Sequence, residues 1–317
     1  MIRLGDVAIA GAFALAVALV LGSAAWEAVR VLLERAGKVH RPSSRARIVY
    51  RRVVMSAGAF GTACLLYGRL VEPFWPEVTR TVVTLPRLAP VGRPVRLVHL
   101  TDLHCDPRPR LEERLPDLVA AERPDLVVFT GDAVNEGAGV PVFRRCMERI
   151  ARVAPTFAVR GNWDAGFGRR FDLFGGTGVR ELDGESVKFE AGGAALWIAG
   201  VAFGNEAGVA RAFDGVPPGA CTVFLYHTPD LVYDLADRRV DLVCAGHTHG
   251  GQVALPLYGA LITLSRFGKR FESGMFEVNG THMYVGRGIG MDGGLAPRVR
   301  FCARPEIAVI DLLPGVR

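Results

Sequence analysis

No CxxC pair and no regular cysteine spacing occur in this chain of 317 residues; the six cysteines stand at 64, 105, 146, 221, 244 and 302. That scatter argues against a disulfide framework, because a chain of this length buries enough apolar surface without covalent staples. Cys221 and Cys244 lie inside apolar runs and read as small core residues. Internal repeats and low-complexity stretches are missing too, which leaves a globular body of one large or two small domains. Charge is missing altogether from residues 7–26. Twenty uncharged residues are about the length that crosses ~30 Å of hydrocarbon as a helix.

What is present is unevenly spread. Half of the residues are hydrophobic and the mean hydropathy is +0.24, but the surplus sits in the first seventy residues. A second apolar run, 53–68, contains Gly58, Gly61 and Gly68. It is long enough to span if Arg69 snorkels and Leu70 and Val71 extend it. The net charge of +6 is concentrated as well: over residues 34–52, Arg35, Lys38, Arg41, Arg45, Arg47, Arg51 and Arg52 face Glu34 alone. A basic cluster between apolar runs reads as a membrane flank rather than a nucleic-acid surface. A cleaved signal peptide is the rival for the first run, with Arg3 as its charged start and Gly22-Ser23-Ala24 as a small-residue cleavage site. Two runs around a basic loop fit a helical hairpin better. Lys and Arg in short loops favour the cytoplasm, so two spans place the rest of the chain on the extracytoplasmic face; a single span reverses this. The expected organisation is a membrane anchor over 1–72, a linker over 73–94 that holds three prolines in its second half, and a catalytic domain over 95–317.

In that domain short apolar runs alternate with amphipathic ones. Strands are expected at 95–100, 125–130, 156–159, 194–201, 221–226, 241–245 and 306–312, and helices at 111–122 and 140–153. A hairpin is expected over 274–286 around Asn279-Gly280. This pattern gives an α/β fold with mixed sheets. Ligands in open α/β sheets bind beyond the carboxyl ends of strands, and five polar motifs directly follow expected strands: Asp102-Leu103-His104, Gly131-Asp132, Gly161-Asn162, His227, and Gly246-His247-Thr248-His249-Gly250. They supply two aspartates, one asparagine and four histidines. Mixed carboxylate, amide and imidazole donors suit Mn²⁺, with Fe²⁺ or Zn²⁺ as alternatives. Two such ions ~3.5–4 Å apart neutralise phosphoryl oxygens and turn a water into hydroxide, and a carboxylate is the natural bridge between them.

The order DLH, GD, GN, H, GHTH resembles the calcineurin-like metallophosphoesterases. The segment GHTHGGQVALP, with GMF, YVGRGIG and a PEI-containing end, is similar to their membrane-associated YkuE/YaeI-like branch. The resemblance covers roughly 95–313. It implies a four-layer αββα sandwich and a dinuclear centre. Asp102, His104, Asp132 and His249 would hold one ion; Asp132, Asn162, His227 and His247 would hold the other, with Asp132 bridging. Asp132, Asn162 and His227 are thereby expected to act in catalysis, with Arg160 as a candidate phosphate clamp. The resembled family usually reads GNHD or GNHE where this chain has Gly161-Asn162-Trp163-Asp164. An indole donates a hydrogen bond but exchanges no proton, so good leaving groups would suffer least from the change, unless another group supplies the acid. Asp164 is expected to support a ligand histidine or cap a loop. The run GRGIGMDGG at 286–294 reads as a close backbone approach to substrate or a plain flexible loop. His40, His99 and His282 read as structural or exposed.

The function expected is a membrane-anchored hydrolase of phosphodiester or pyrophosphate bonds, with membrane lipid as a partner and a lipid-linked substrate such as UDP-2,3-diacylglucosamine. An outer-face envelope phosphatase and a non-catalytic, metal-stabilised membrane binding protein are the alternatives.

Overall fold

A computed structural model describes residues 4–40, 44–90, 92–167, 170–294 and 297–315. Two helices open the chain: α1 (Leu4–Arg35) and α2 (Arg45–Leu70). Both are long and apolar enough to cross a membrane. They pack through small residues, since a side chain at Gly58 would strike Ala24 and one at Gly61 would touch Leu21. Val7, Leu15, Leu19, Val53, Phe60 and Leu66 point away from the rest of the protein and stay exposed. The basic segment is more ordered than the sequence reading allowed. Arg45, Arg47, Arg51 and Arg52 form the first turns of α2 rather than a loop. Arg47 pairs with the buried Glu27, and Arg51 pairs with both Glu27 and Glu34. These ion pairs lie where the hairpin turns, so each acid has a cation beside it.

The segment 73–94 is not a linker throughout. β1 (Glu77–Leu85) runs parallel to β14 (Glu306–Pro314) along its whole length, from Glu77↔Glu306 to Leu85↔Pro314. Six of its nine residues are Val or Thr, which favour a pleated surface. The first sheet therefore begins at Glu77.

Ten further strands make two sheets with these. β2 (Val95–Leu100), β3 (Leu126–Phe129), β4 (Thr156–Ala158) and β5 (Arg180–Glu181) complete the first, ordered β1-β14-β2-β3-β4-β5. β6 (Glu185–Ala191), β7 (Ala194–Gly200), β8 (Thr222–Leu225), β9 (Leu242–Ala245), β12 (Gly274–Val278) and β13 (Thr281–Val285) make the second, ordered β12-β13-β9-β8-β7-β6. Both are mixed. β14 is antiparallel to β2, and β12–β13 and β6–β7 are antiparallel pairs. The pair β10 (Ala254–Leu255) and β11 (Gly259–Ala260) stands apart as a small hairpin. Helices α3 (Leu115–Ala121) and α4 (Val140–Ala151) cover the first sheet, through Leu115, Val119, Phe143, Met147 and Ile150. Leu97, Val128, Ile310, Ile198, Val223 and Tyr284 interdigitate between the sheets. Residues 229–238 cover the second sheet through Leu231, Val232 and Leu235. The result is the four-layer αββα sandwich. The expected hairpin turn sits at Asn279-Gly280, both with positive φ, as a two-residue connection of twisted strands requires.

His99 lies in β2, buried against the ring of Tyr284, with Nε2 2.8 Å from Thr130 Oγ1. Burial pushes its pKa down from 6.5 to about 3. The folded protein keeps it neutral, whereas the unfolded chain protonates it below its ordinary value. Its stability contribution is therefore complete above pH 6.5 and is lost as the pH falls toward 3, by ~2 kcal/mol at pH 5. Chelator-treated full-length protein in detergent is expected to melt at a lower temperature at pH 5 than at pH 7.5. His99→Gln should shrink that difference; an unchanged difference would assign the acid sensitivity elsewhere.

Candidate metal centre

Five strands deliver the polar motifs to one edge of the sandwich. Asp102 and His104 follow β2, Asp132 follows β3, and Asn162 follows β4; His227 follows β8, and His247 and His249 follow β9. Within each sheet these strands are parallel neighbours, so their carboxyl ends coincide. Five of the seven side chains sit on backbones with positive φ: Asp102, His104, Asp132, His247 and His249. Such conformations cost ~1–3 kcal/mol each and persist where surrounding packing enforces them. The motif glycines permit the crowding. A Cβ on Gly161 would lie 2.2 Å from Asp132 Oδ1, and one on Gly246 would lie 2.3 Å from Asp102 Oδ2.

All seven candidate residues converge. One ligand atom each from Asp102, His104 and His249 lie within 4.8 Å of one another, as do those of Asp102, Asp132 and His227. Asp132 Oδ2 is 3.5 Å from His104 Nε2 and 3.3 Å from His227 Nε2. His249 Nε2 is 3.4 Å from Asp102 Oδ1. His227 Nε2 lies 2.8 Å from Asn162 Oδ1 and 3.2 Å from His247 Nδ1. The far nitrogens of two rings are fixed. His227 Nδ1–H donates to the Thr130 carbonyl at 2.7 Å, and His104 Nδ1–H donates to Asn135 Oδ1 at 2.9 Å. Asn135 is oriented by its own amide, which donates to the carbonyls of His104 and Met291 and to Asp106. His104 and His227 therefore turn Nε2 toward the Asp132 carboxylate. His104 Nε2 also stands 3.2 Å from His249 Nε2. Imidazole lone pairs and carboxylates aimed at a common point fit divalent cations.

The electrostatics agree. Burial pushes the Asp102 carboxyl up to about 7 and drives His247 down to about 4; it lowers His104 and His249 as well. Burial also opposes charge on Asp132 and His227. Their mutual attraction outweighs it, leaving Asp132 at about 2 and His227 at about 9. With no Lys or Arg among the seven, the carboxylate pair draws positive charge onto His227.

Several supports carried no signal in the reading of the sequence. Thr101 Oγ1 donates to Asp102 Oδ2 at 2.7 Å. Asn135 lies only three residues beyond Asp132, within reach of a motif search. Arg300 is fully buried, 51 residues from His249, and lies 3.4 Å from its Nδ1. It donates to the carbonyls of Arg287, Gly288, Gly290 and Ala303. Burial lowers its pKa to about 9, which still leaves it charged at neutral pH. Through those carbonyls it ties down 286–294, where Ile289 and Gly290 N–H groups donate to the Thr101 and Asp102 carbonyls. That run is a packed wall beside Asp102.

Asp164 caps the loops rather than supporting a histidine. Its carboxylate accepts from the N–H groups of Asp132, Ala133 and Gly161 at 2.8–2.9 Å. Trp163 donates its backbone N–H to Asp132 Oδ1 at 2.9 Å and sets its ring edge-on to His104, 5.5 Å between centroids. Arg160 does not match its expected role. Its guanidinium pairs with Glu181 at 2.6 Å and lines a cavity of about 530 Å³ with Asp172, Asp183 and Glu185. A guanidinium already paired with the Glu181 carboxylate is a poor phosphate clamp.

Residues 95–251 match the family model for the calcineurin-like phosphoesterases. The chain is 30% identical over 266 residues to the metallophosphoesterase YkuE of Bacillus subtilis, covering 78% of this chain and 88% of that one. This chain belongs to the calcineurin-like phosphoesterase family. It is 29% identical to phosphodiesterase YaeI of Escherichia coli over 295 residues, 85% of this chain and 99% of that one. It is 27% identical to a bovine transmembrane protein with a metallophosphoesterase domain over 313 residues, 90% of this chain and 68% of that one. As a calcineurin-like phosphoesterase it is a metal-dependent phosphoester hydrolase of a family that uses a dinuclear site, and it carries two helices long and apolar enough to cross a membrane.

Proposed function

We propose that this calcineurin-like phosphoesterase hydrolyses a phosphodiester or pyrophosphate bond in a lipid-linked substrate at the membrane surface. The supporting observation is the convergence of seven donors, five of them buried, in a chain with two helices long and apolar enough to cross a membrane. Asp102, His104, Asp132 and His249 would hold one divalent ion, and Asp132, Asn162, His227 and His247 the other. Three oxygen and four nitrogen donors without sulfur favour Mn²⁺, with Zn²⁺ or Fe²⁺ as competitors. When bound, the ions neutralise the phosphoryl oxygens and acidify a water. The protein's own residues fix the geometry: Thr130 and Asn135 orient His227 and His104, and Asp164 holds the Asp132 and Asn162 loops in register. His227 Nε2 stands 2.8 Å from Asn162 Oδ1, and the Trp163 and His104 rings meet edge to face.

Trp163 supports the choice of bond. Its ring stands against His104 and supplies no proton, so the leaving group departs with little acid help from this position, as a nucleoside phosphate can. General acid catalysis is worth ~10²–10⁴-fold. Trp163→His is expected to leave metal content unchanged and to raise turnover of alkyl phosphodiesters more than that of p-nitrophenyl esters. Equal effects on both would remove the leaving-group argument. Two spanning helices joined by a basic turn support a multi-pass protein with its catalytic domain on the extracytoplasmic face. The test is hydrolysis by the detergent-solubilised full chain, with added Mn²⁺, of bis-p-nitrophenyl phosphate and of UDP-2,3-diacylglucosamine. Turnover of the first supports the phosphodiesterase chemistry. Turnover of the second would extend the activity to a nucleotide-linked lipid. Metal binding without turnover of either would favour a binding protein.

A further inference from the structure

The hairpin β10–β11 begins five residues after His249, and its tip, Pro256-Leu257-Tyr258, is exposed. Leu257 is the most exposed large hydrophobic among the described residues. Its backbone is left-handed, with φ +67°. A turn facing water normally places Gly, Asn or Asp at such a position. Leucine there carries both the backbone cost and the cost of hydrating its side chain. Residues 252–264 contain no charged side chain.

The hairpin is continuous with the membrane helices through Phe301. The Ala254 N–H donates to the Phe301 carbonyl at 2.8 Å, and the Phe301 N–H donates to the Gln252 carbonyl at 3.0 Å. On its other side the Phe301 ring meets Tyr67 of α2 edge-on, 6.2 Å between centroids. The Arg300 N–H donates to the Gly68 carbonyl at 2.8 Å, and the Glu72 carboxylate accepts from the N–H groups of Cys302 and Ala303. The end of α2, the hairpin and the Arg300 loop are thus one packed unit, and Arg300 reaches His249. Leu70, Val71, Phe74 and Trp75 are exposed where α2 ends. Two of the exposed aromatics carry a cation: Lys269 Nζ lies 3.8 Å from the Tyr258 ring centroid, and the Arg304 guanidinium 4.3 Å from that of Trp75. Tyr and Trp with Lys and Arg beside them mark the headgroup level of a bilayer.

We propose that the tip Pro256-Leu257-Tyr258 inserts into the headgroup region of the bilayer crossed by α1 and α2, so that substrate reaches the metal centre from the lipid surface. This rests on the membrane-surface function proposed above and names the contact that serves it. A bilayer at the end of α2 would cover the fully exposed leucine, satisfy the aromatic tip and leave Lys269 and Arg304 among phosphates.

The test uses the full chain in liposomes. Leu257→Cys is placed on a Cys64→Ser, Cys302→Ser background, where the remaining native cysteines are buried. An environment-sensitive NBD label at 257 should emit to the blue and be quenched by lipids with a nitroxide near the headgroup. The same label at Lys188→Cys, on the exposed face of β6, should be neither shifted nor quenched. Equal quenching at the two positions, or none at 257, would overturn the proposal. As a second arm, Leu257→Asp should raise the KM for a phosphodiester lipid presented in vesicles by ~10-fold, with bis-p-nitrophenyl phosphate turnover within about twofold of the parent. Equal losses on both substrates, or on neither, would count against the tip. If no vesicle lipid is hydrolysed by the parent protein while label 257 is quenched, the lipid-linked substrate fails and the membrane contact stands.

Discussion

Asp132→Ala is expected to abolish turnover, by ~10³-fold or more, and to reduce bound metal from two ions per chain to fewer than one. The Asp132 carboxylate faces one histidine from each group, His104 at 3.5 Å and His227 at 3.3 Å. Removing it deletes a ligand of each proposed ion at once. It also takes away the charge that holds a proton or a cation beside His227. The fold should survive, because Asp132 lies in a loop beyond β3 whose backbone is held by Asp164. Metal analysis of the purified variant, beside its thermal melt, checks the claim. An Asp132→Ala protein that keeps two ions and normal turnover would show that the bridge is misassigned. Asp132→Asn, which retains an acceptor for the Trp163 N–H, should lose metal with less structural change.

Arg300→Met is expected to cost more stability than any other single change near the site. Four backbone carbonyls, those of residues 287, 288, 290 and 303, take hydrogen bonds from this one buried guanidinium. Orphaning buried acceptors costs ~1–3 kcal/mol apiece before relaxation, so a net loss of ~3–5 kcal/mol is expected. For a body of this size that lowers the melting temperature by ~10 °C. The loop 286–294 would slacken against Asp102, and His249 would lose the neighbour beside Nδ1, so metal affinity should fall ~10–100-fold. Arg300→Lys restores charge but not the fork of donors, and should recover only part of each effect. Thermal melts with metal titrations decide it. A variant melting within about two degrees of the parent, with unchanged metal affinity, would make Arg300 a bystander.

The parts of this fold that are local in sequence were the parts most legible there. β2 was read to the residue, and β3, β4, β7, β8, β9, β12, β13 and β14 to within a few residues, because short apolar runs broken by polar motifs mark strands and their carboxyl ends together. Non-local features were harder to read. β1 is rich in Val and Thr, but it pairs with a strand 229 residues away, and the prolines at 86, 90 and 94 made its neighbourhood look like a linker. Arg300 had no pattern to announce it, since its partners are backbone carbonyls. Arg160 shows the opposite failure. Its position two residues before Asn162 suggested a clamp, and only the fold reveals Glu181 across from it. The second half of the basic segment looked like a loop because arginines interrupt the apolar run, yet paired with Glu27 and Glu34 they start a helix.

The most direct measurement is electron paramagnetic resonance of the full chain loaded with two equivalents of Mn²⁺. Two ions sharing the Asp132 carboxylate should give an exchange-coupled spectrum, replaced in Asp132→Ala by signals of isolated Mn²⁺. An uncoupled six-line spectrum from the loaded parent protein would contradict the shared centre.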